Sequence, residues 1–280
     1  MEVCNLIVHS MEKYDYLKEM SHELRLRILE LTYGVKKSGA HVGGGLSCVE
    51  ILASLYGSIL KYDVNNPLYK NRDRFILSKG HSAIALFSAL EQVGFLNKEE
   101  LDQFETNGSP YYAHASRNLL KGIEFSGGSL SLGLSFAVGV ALSCKKDCLK
   151  NHVYVLLGDG ECDEGLVWES LMSASHFNLT NLTVIVDCNG LQSDGYTQDI
   201  MNHSSLAEKF KSFGFNTKEI DGHDLNILCE SLVSKDLKRP NAIIAHTLKG
   251  KGVSFMENNK KWHHGSLSLN EYELAVSEQK

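Results

Sequence analysis

Short, uninterrupted apolar runs alternate with longer helical patterns through the second half of the 280-residue chain. Continuous apolar strands that alternate with helices are typical of a parallel sheet covered by helices on both faces. The predicted strands are 74–78, 153–157, 182–187, 215–220 and 241–246. The predicted helices are 14–37, 49–60, 134–144, 166–177, 204–213 and 224–233, with an Ala- and Leu-rich helix after residue 82. The sequence therefore predicts an α/β fold with helices on both faces of a parallel sheet.

A glycine-rich break, residues 38–45, separates the first two predicted helices, and Ser47 is the predicted N-cap of the second. No internal repeat, low-complexity linker or change in composition marks a boundary within the chain. We therefore expect a single domain spanning residues 1–280.

Composition narrows the classes of partner. A formal net charge of −6 provides no global attraction to nucleic acid or to anionic membranes, so neither is expected as a partner, although Lys249 and Lys251 could still meet a phosphate. The seven cysteines show no zinc-like spacing, and no apolar run is long enough to span a bilayer. The expected location is cytoplasmic, with reduced thiols.

The turn Gly158-Asp159-Gly160 follows the second predicted strand and leads into a helix. Glycines let backbone amides approach an anion closely, and the start of a helix carries partial positive charge. A carboxylate at such a site would repel the anion unless Asp159 binds a divalent cation that also binds the anion. Asp and Gly are also common in turns, so Asp159 as a simple N-cap is the alternative.

The next strand ends in Asp187-Cys188-Asn189-Gly190-Leu191. Because neighbouring parallel strands end at the same edge of a sheet, Asn189 and the Leu191 carbonyl could join Asp159 at one ion. Oxygen ligands of this kind suit Mg2+ or Ca2+, and Mg2+ is usually shared with phosphates. The pattern predicts a Mg2+-diphosphate site.

The segments GDGECDEGLVWE and DCNGLQSDG closely resemble transketolases, and their spacing resembles the thiamine diphosphate fingerprint. The resemblance is to the N-terminal, diphosphate-binding half of that family and covers nearly the whole chain. Further matches, in the family's order, are residues 37–43, 72–81, 249–253 and 262–265. The resemblance implies the thiamine-diphosphate-binding fold and thiamine diphosphate with Mg2+ or Ca2+ as cofactors.

The resemblance also implies roles for particular residues. The implied metal ligands are Asp159, Asn189 and the carbonyl of Leu191. The residues implied to contact the cofactor are His81, Gly128, Leu130, Gly158, Gly160, Glu164, Glu169, Asn189 and His263. The residues implied to act in catalysis are His41, His81, His114, His263 and His264. Either member of the His263–His264 pair could face the diphosphate, and Glu164 and Glu169 match carboxylates near a subunit interface.

Two segments depart from the family's pattern near the expected substrate channel. Ser131-Leu132 replaces the usual Gly-Gln beside the cofactor, and the His114 segment lacks the frequent Gly-His-Pro. Neither departure touches the expected metal site. They leave the substrate less certain than the cofactor.

Single-chain transketolases also carry a pyrimidine-binding domain whose glutamate promotes ionisation of the cofactor. The resemblance therefore implies a separately encoded partner with that domain, in an α2β2 assembly that transfers a two-carbon ketol unit from a ketose to an aldose. Two alternatives remain: a related transferase of ketol or acyl groups in specialised metabolism, and a non-catalytic scaffold subunit. A Rossmann dehydrogenase ranks lower because no G-x-G-x-x-G follows a strand.

Overall fold

The computed structural model describes residues 10–36 and 38–279, with side chains from residue 13 onward. Lys37, the last residue of the first predicted helix and the first of the 37–43 match, lies outside the described residues. No helix of the described ranges is long and apolar enough to cross a membrane.

Five parallel strands form one sheet in the order β1-β2-β3-β5-β4. The strands are β1 (Arg74–Leu77), β2 (Val153–Gly158), β3 (Leu182–Cys188), β4 (Asn216–Asp221) and β5 (Asn241–His246). Each predicted strand is present, with bounds shifted by at most one residue. The apolar runs indicate the strands well because the central strands are buried on both faces.

The helices connect the strands and pack on the sheet. They are α1 (Ser10–Gly34), α2 (Val42–Leu46), α3 (Val49–Ser54), α4 (Ala83–Gln92), α5 (Lys98–Leu101), α6 (Leu132–Lys146), α7 (Gly165–His176), α8 (Thr197–Ile200), α9 (Leu206–Ser212), α10 (Leu225–Val233) and α11 (Leu269–Ser277). A π-helical turn, Leu55–Ile59, continues α3.

Alternate side chains of each central strand enter two separate cores. Tyr154 and Leu156 of β2 pack with α1, α3, α4 and α10, whereas Val155 and Leu157 pack with α6, α7 and α9. Burying an aliphatic side chain of this size contributes about 1.5–3 kcal/mol, so both cores hold the sheet in place. The predicted fold class, a parallel sheet with helices on both faces, is confirmed.

Two local predictions are wrong. The glycine-rich break contains a helical turn, α2, and the N-cap of α3 is Cys48 rather than Ser47. The Ser47 hydroxyl instead donates to the Gly44 carbonyl and to the Asp187 carboxylate. A hydroxyl that could cap a helix is used here to satisfy a buried charge.

The carboxyl ends of β1, β2, β3 and β5 meet at one edge of the sheet, which we call the carboxyl edge. The turns that follow β1, β2 and β3 hold most of the residues that the sequence singles out. The fold therefore brings together segments that lie more than 100 residues apart.

Candidate active site at the carboxyl edge of the sheet

Asp159 lies directly beyond β2, beside the end of β3. Its Oδ1 accepts a hydrogen bond from the Gly160 amide (2.9 Å), and its Oδ2 accepts from the Gly190 amide (2.8 Å) and the Thr197 hydroxyl (3.0 Å). The side chain is thus the N-cap of a short 3-10 turn and also holds the loop after β3. The N-cap interpretation is correct as local structure, but it accounts for only one of the three bonds.

The charge of Asp159 is poorly compensated by the described residues. Burial and the nearby Asp187 carboxylate both raise the pKa of Asp159, which disfavours the charged form. A divalent cation beside this carboxylate would remove that penalty. This electrostatic deficit fits the predicted metal site.

The two other expected metal ligands lie on the same loop. The Asn189 Oδ1 accepts a hydrogen bond from the Leu191 amide (3.1 Å), and the Leu191 carbonyl accepts from the ammonium of Lys249 (3.0 Å). The Leu191 carbonyl thus already accepts from a positively charged group, as the oxygen ligand of a metal cation would. Within residues 10–36 and 38–279, no group of three or more His, Cys, Asp or Glu residues could hold a metal. The expected ligand set contains only one residue of these types, Asp159, because its other members are the side-chain amide of Asn189 and the backbone carbonyl of Leu191.

The two glycines of the turn have different environments. A Cβ at Gly158 would meet no heavy atom within 4 Å, so open space lies above this residue. A Cβ at Gly160 would lie 2.6 Å from Cγ of Gln192, whose amide donates to Asp163. Space at Gly158 leaves room for a ligand, whereas Gly160 is needed for close packing against the β3 loop.

Glu161, to which the sequence assigns no role, joins three turns of the carboxyl edge. It is buried; its Oε1 accepts from the Ser78 hydroxyl and the Ser131 amide (2.7 Å), and its Oε2 accepts from the Gly158 amide (3.1 Å). Ser131 has a left-handed backbone, with φ of 72°, and its amide can therefore point at this carboxylate. The altered 128–133 loop is thus fixed to β1 and β2 by one side chain.

Asp187 and Lys79 form a buried ion pair beneath the turns. Both side chains are almost completely excluded from solvent. The Asp187 carboxylate also accepts from the hydroxyls of Ser47 and Thr247, and the Lys79 ammonium donates to the Gly44 carbonyl (3.0 Å). This network connects β1, β3 and β5 to α2.

Five histidines, which we call the histidine cluster, lie close together above these turns. The ring of His41 lies at centroid distances of 5.6, 5.5, 5.4 and 4.6 Å from the rings of four others, respectively His81, His114, His263 and His264. All five are the histidines that the resemblance implies act in catalysis. The chain segments that carry them are far apart in sequence and meet only through the fold.

Burial and neighbouring charges keep several of these imidazoles neutral. Burial, with His264 and His114 nearby, lowers the pKa of His41 to about 4. Burial, with the Lys249 ammonium nearby, lowers the pKa of His263 to about 3. Burial and the Lys79 charge lower the pKa of His81 well below its usual value. The Nδ1 atom of His41 is buried without a hydrogen-bond partner among the described residues, so this imidazole has an unused donor or acceptor.

The two adjacent histidines face different neighbours. The Nδ1 atom of His263 lies 2.8 Å from the Lys249 Nζ, and its ring centroid lies 5.5 Å from that of His81. His264 instead packs against His41, and a Cβ at Gly39 would lie 2.7 Å from its Cε1. His263 therefore lies on the Lys249 side of the cluster and His264 on the His41 side.

Lys249 is a buried cation between the loop after β3 and the histidine cluster. It is buried, and burial together with the Lys79 charge lowers its pKa to about 8. Its ammonium contacts Leu191 and His263, so it sits between the expected metal ligand and the histidine cluster. In the sequence, Lys249 stands out as a local basic residue and as the first residue of the 249–253 match, with no role assigned to it.

The remaining expected contacts lie around this centre. Gly128, with φ of 142°, is exposed and lies near His114, because a Cβ there would be 3.9 Å from its ring; Leu130 is partly buried. Glu164 and Glu169 are exposed at the start and on the outer face of α7, and the structure does not bring them to the histidine cluster. Their place fits a role at an interface better than a direct contact with a ligand bound by this chain.

Comparison with known proteins identifies the family. Residues 20–280 match the family described as "Transketolase, thiamine diphosphate binding domain". The chain belongs to the transketolase family. The suspected resemblance to an N-terminal, thiamine-diphosphate-binding transketolase subunit is thereby confirmed, as is the assignment to an enzyme family of transferases.

Similar transketolases include both separate subunits and longer chains. The chain is 39% identical over 264 residues to an apulose-4-phosphate transketolase subunit of Phocaeicola vulgatus, covering 94% of this chain and 93% of that protein. It is 38% identical over 263 residues to the 6-deoxy-6-sulfo-D-fructose transketolase subunit SqwG of a Clostridium species, covering 93% and 96%. The solved transketolase of Leishmania mexicana superposes with a TM-score of 0.85 at 26% identity, covering 92% of this chain and 40% of that one. The match thus spans nearly all of the two subunits but less than half of the longer transketolase.

Three buried charged residues of this transketolase domain are not recognisable as site residues from the sequence: Lys79, Glu161 and Asp187. Lys79 and Asp187 lie in segments that the sequence singles out, yet their pairing across 108 residues cannot be read from either segment. The one available signal is a charged residue inside an otherwise apolar strand end, as in Val186-Asp187. A buried charge requires a partner, so such a position predicts a network without saying where the partner lies.

Proposed function

We propose that this chain is the diphosphate-binding subunit of a two-chain transketolase, which moves a two-carbon ketol unit from a ketose to an aldose. The observation that carries the proposal is the histidine cluster together with the buried Asp159 carboxylate, whose charged form is disfavoured by burial and by Asp187, at the carboxyl edge. The histidine cluster can form hydrogen bonds with a substrate and transfer protons, and the Asp159 carboxylate can bind a cation. Neither feature is required for a scaffold.

In this proposal, Asp159, Asn189 and the Leu191 carbonyl hold Mg2+ or Ca2+. Lys249, His81 and His263 would lie beside the anion bound with the metal, whereas the amides of Gly158 and Gly160 already donate to Glu161 and Asp159. Thiamine diphosphate supplies the carbanion chemistry by acting as an electron sink. The chain's own residues bind and orient that group and exclude water from it.

His41 and His114 have a separate proposed task. Both belong to the histidine cluster: the His41 ring packs against His114 and most closely against His264, and His114 lies beside the Gly128 loop. Imidazoles can accept and donate protons, so these two would hydrogen-bond substrate hydroxyls and move protons during ketol transfer. The free Nδ1 of His41 is suited to such a bond.

The partner is proposed to be a separate chain with the pyrimidine-binding domain, in an α2β2 assembly. The support is that the two relatives described above are named as subunits and match this chain over nearly their whole length. Glu164 and Glu169, exposed on α7, would face that partner. A single domain over 1–280 and a cytoplasmic location, with all six described cysteines free, belong to the same proposal.

The substrates in the names of these relatives are unusual sugars, and the altered loops favour a specialised substrate here as well. Leu132 is 45% exposed where the family usually has glutamine. An apolar side chain at this position removes a hydrogen-bonding group from the expected channel. A related ketol or acyl transferase of specialised metabolism is therefore the second candidate, and a screen of donors and acceptors with the reconstituted pair distinguishes the two.

The decisive experiment replaces Asp159 with Ala. We expect Mg2+-dependent binding of thiamine diphosphate to fall at least about 100-fold by calorimetric titration, since loss of a charged metal ligand removes several kcal/mol. Asp199→Ala, an exposed carboxylate after the same loop, is the matched control and should bind like the parent. Unchanged turnover of the Asp159→Ala pair would support a scaffold instead.

A second measurement tests the need for a partner. The purified chain with thiamine diphosphate and Mg2+ should show no ketol transfer, because activation of the cofactor requires the glutamate-bearing domain. Adding the partner should restore activity. Robust turnover by the lone chain would contradict the two-chain proposal.

A further inference from the structure

A polar cavity lies at the opposite, amino-terminal edge of the sheet. It has a volume of about 320 Å³ and is formed where β1 and β2 begin, beside the π-helical turn and the end of α10. Three lysines line it: Lys61, Lys150 and Lys235. None of the roles assigned above uses this cavity.

Lys235 is the central cation of the cavity. Its ammonium donates to the Tyr154 hydroxyl (2.6 Å) and lies 4.9 Å from the centre of that ring. The side chain is half-buried, and burial lowers its pKa to about 8. Among the described residues, five lysines form ion pairs with carboxylates, and Lys235 is not one of them. Lys235 therefore holds a positive charge in a partly dry place without a paired carboxylate.

Asp73, the single acidic residue of the lining, is already engaged. Its Oδ1 accepts from the His152 amide (2.7 Å) and its Oδ2 from the Lys61 amide (3.0 Å). Burial raises the pKa of Asp73 and lowers that of His152 well below its usual value. The lining thus contains three lysines, of which Lys61 and Lys150 are exposed, against one carboxylate and a neutral imidazole, so it has an excess of positive charge.

The cavity also has a hydroxyl without a partner. The Ser58 Oγ is buried and forms no hydrogen bond with a described residue. Buried polar groups are normally hydrogen-bonded, so this hydroxyl is an unused donor beside the lysines. The lining therefore has surplus donors and surplus positive charge.

We propose that this cavity binds a small phosphorylated anion, either inorganic phosphate or a phosphate monoester, through Lys235 with Lys61, Lys150 and Ser58. Charge-assisted bonds from several ammonium groups favour a dianion over a monocarboxylate. The volume is at the lower end of the range for small-molecule sites, which fits a phosphate with a short carbon chain. The ligand would not touch the reacting groups, because Tyr154 and Asp159 are five residues apart on β2 and beyond it, about 17 Å along an extended strand.

The test is a calorimetric titration of the full chain with inorganic phosphate, glycerol 2-phosphate and acetate at constant ionic strength. Saturating thiamine diphosphate and MgCl2 are present, so phosphate bound at the carboxyl edge is suppressed or is the same for every variant. Lys235→Met keeps the apolar stem over Tyr154 and removes the charge. Lys238→Met makes the same change of charge three residues away, outside the cavity, and is the matched control.

Lys235→Met should weaken phosphate and glycerol phosphate binding at least about tenfold, the size expected for one lost charge-assisted bond, while Lys238→Met binds like the parent. Acetate should bind far more weakly than either phosphate. Equal phosphate affinity in the parent and in Lys235→Met overturns the proposal. If Lys235→Met does not fold, the exposed double variant Lys61→Met/Lys150→Met replaces it, and unchanged phosphate affinity there is equally contrary.

Discussion

The ammonium of Lys79 and the carboxylate of Asp187 form an ion pair from which water is almost wholly excluded, and this pair joins β1 to β3 beneath the candidate active site. Burial alone would raise the pKa of Asp187, but the Lys79 charge holds it below its usual value. The pair therefore exists as two charges at neutral pH. Hydroxyls of Ser47 and Thr247 satisfy further lone pairs of the carboxylate.

Breaking this pair on one side should be costly. Lys79→Met leaves Asp187 as an uncompensated buried charge, and we expect the free energy of unfolding to fall by about 3–5 kcal/mol in urea denaturation. Lys211→Met, which breaks an exposed pair with Glu208, should cost no more than about 1 kcal/mol. Similar small losses in both variants would show that the buried pair does not hold the turns together.

Two glycines of α6 should respond oppositely to the same substitution. A Cβ at Gly133 would lie 2.6 Å from the Ser78 Cα, so Gly133→Ala should destabilise the chain by about 1–3 kcal/mol through overpacking. A Cβ at Gly139 would meet nothing within 4 Å, so Gly139→Ala should stabilise by about 0.5–1 kcal/mol through helix propensity. Thermal and urea unfolding of both variants measure this difference, and a stable Gly133→Ala would contradict the close packing of α6 on the turn after β1.

The neutral histidines make stability depend on acidity. The pKa of His41 falls from 6.5 to about 4 on folding, so below pH 6.5 the unfolded chain binds more protons than the folded one. Stability is therefore complete above about pH 6.5 and decreases as the pH falls toward 4. Because the side chain is partly exposed and solvent screens the shift, the contribution of His41 alone between pH 7 and pH 5 is at most about 2 kcal/mol. Urea unfolding of the chain and of His41→Asn over this range checks it: the variant should show a shallower dependence, and an identical slope would be contrary.

Substitutions of His263 and His264 should have different effects, one on cofactor affinity and the other on the KM for the donor sugar. Because His263 contacts Lys249 and lies near His81, His263→Asn should weaken thiamine diphosphate binding by about tenfold, as for loss of one hydrogen bond to a charged group. His264→Asn should leave cofactor affinity unchanged and raise the KM for the donor sugar in the reconstituted pair. Calorimetry and steady-state kinetics measure the two effects, and the reverse pattern would place His264 on the diphosphate side.

Much of the fold can be predicted from the sequence because β2 and β3 are buried on both faces and therefore appear as unbroken apolar runs. The helical turn α2 could not be predicted, since Gly43, Gly44 and Gly45 are poor helix formers. The structure supplies the reason for the three glycines. Added Cβ atoms would lie 2.6 Å from the Trp262 carbonyl oxygen, 3.3 Å from the His81 ring and 3.0 Å from Ile84, respectively. Tertiary packing requires glycine at Gly43 and favours it at Gly44 and Gly45, although local preference would avoid a helix there.

In the candidate site, too, local patterns can be predicted from the sequence, whereas contacts between distant segments cannot. The turn after β2 and the asparagine after β3 can be predicted, because each is a local pattern at a strand end. The partners of Asp187, the contact of Lys249 with Leu191 and the separation of His263 from His264 cannot, because each joins segments far apart in the chain. The resemblance names the histidines, but their mutual contacts depend on how three loops pack against α2.

The isolated bridge between Ala40 and Gly265 has a consequence for how the molecule matures. It closes the histidine cluster by joining segments near the two ends of the described chain, and such a contact carries one of the largest loop-closure costs in the fold. During synthesis, β1 to β3 can associate long before His263 and His264 leave the ribosome. We therefore expect competence to bind a cofactor to arise only after the segment around Gly265 has paired with Ala40, and amide exchange at Ala40 reports on that pairing.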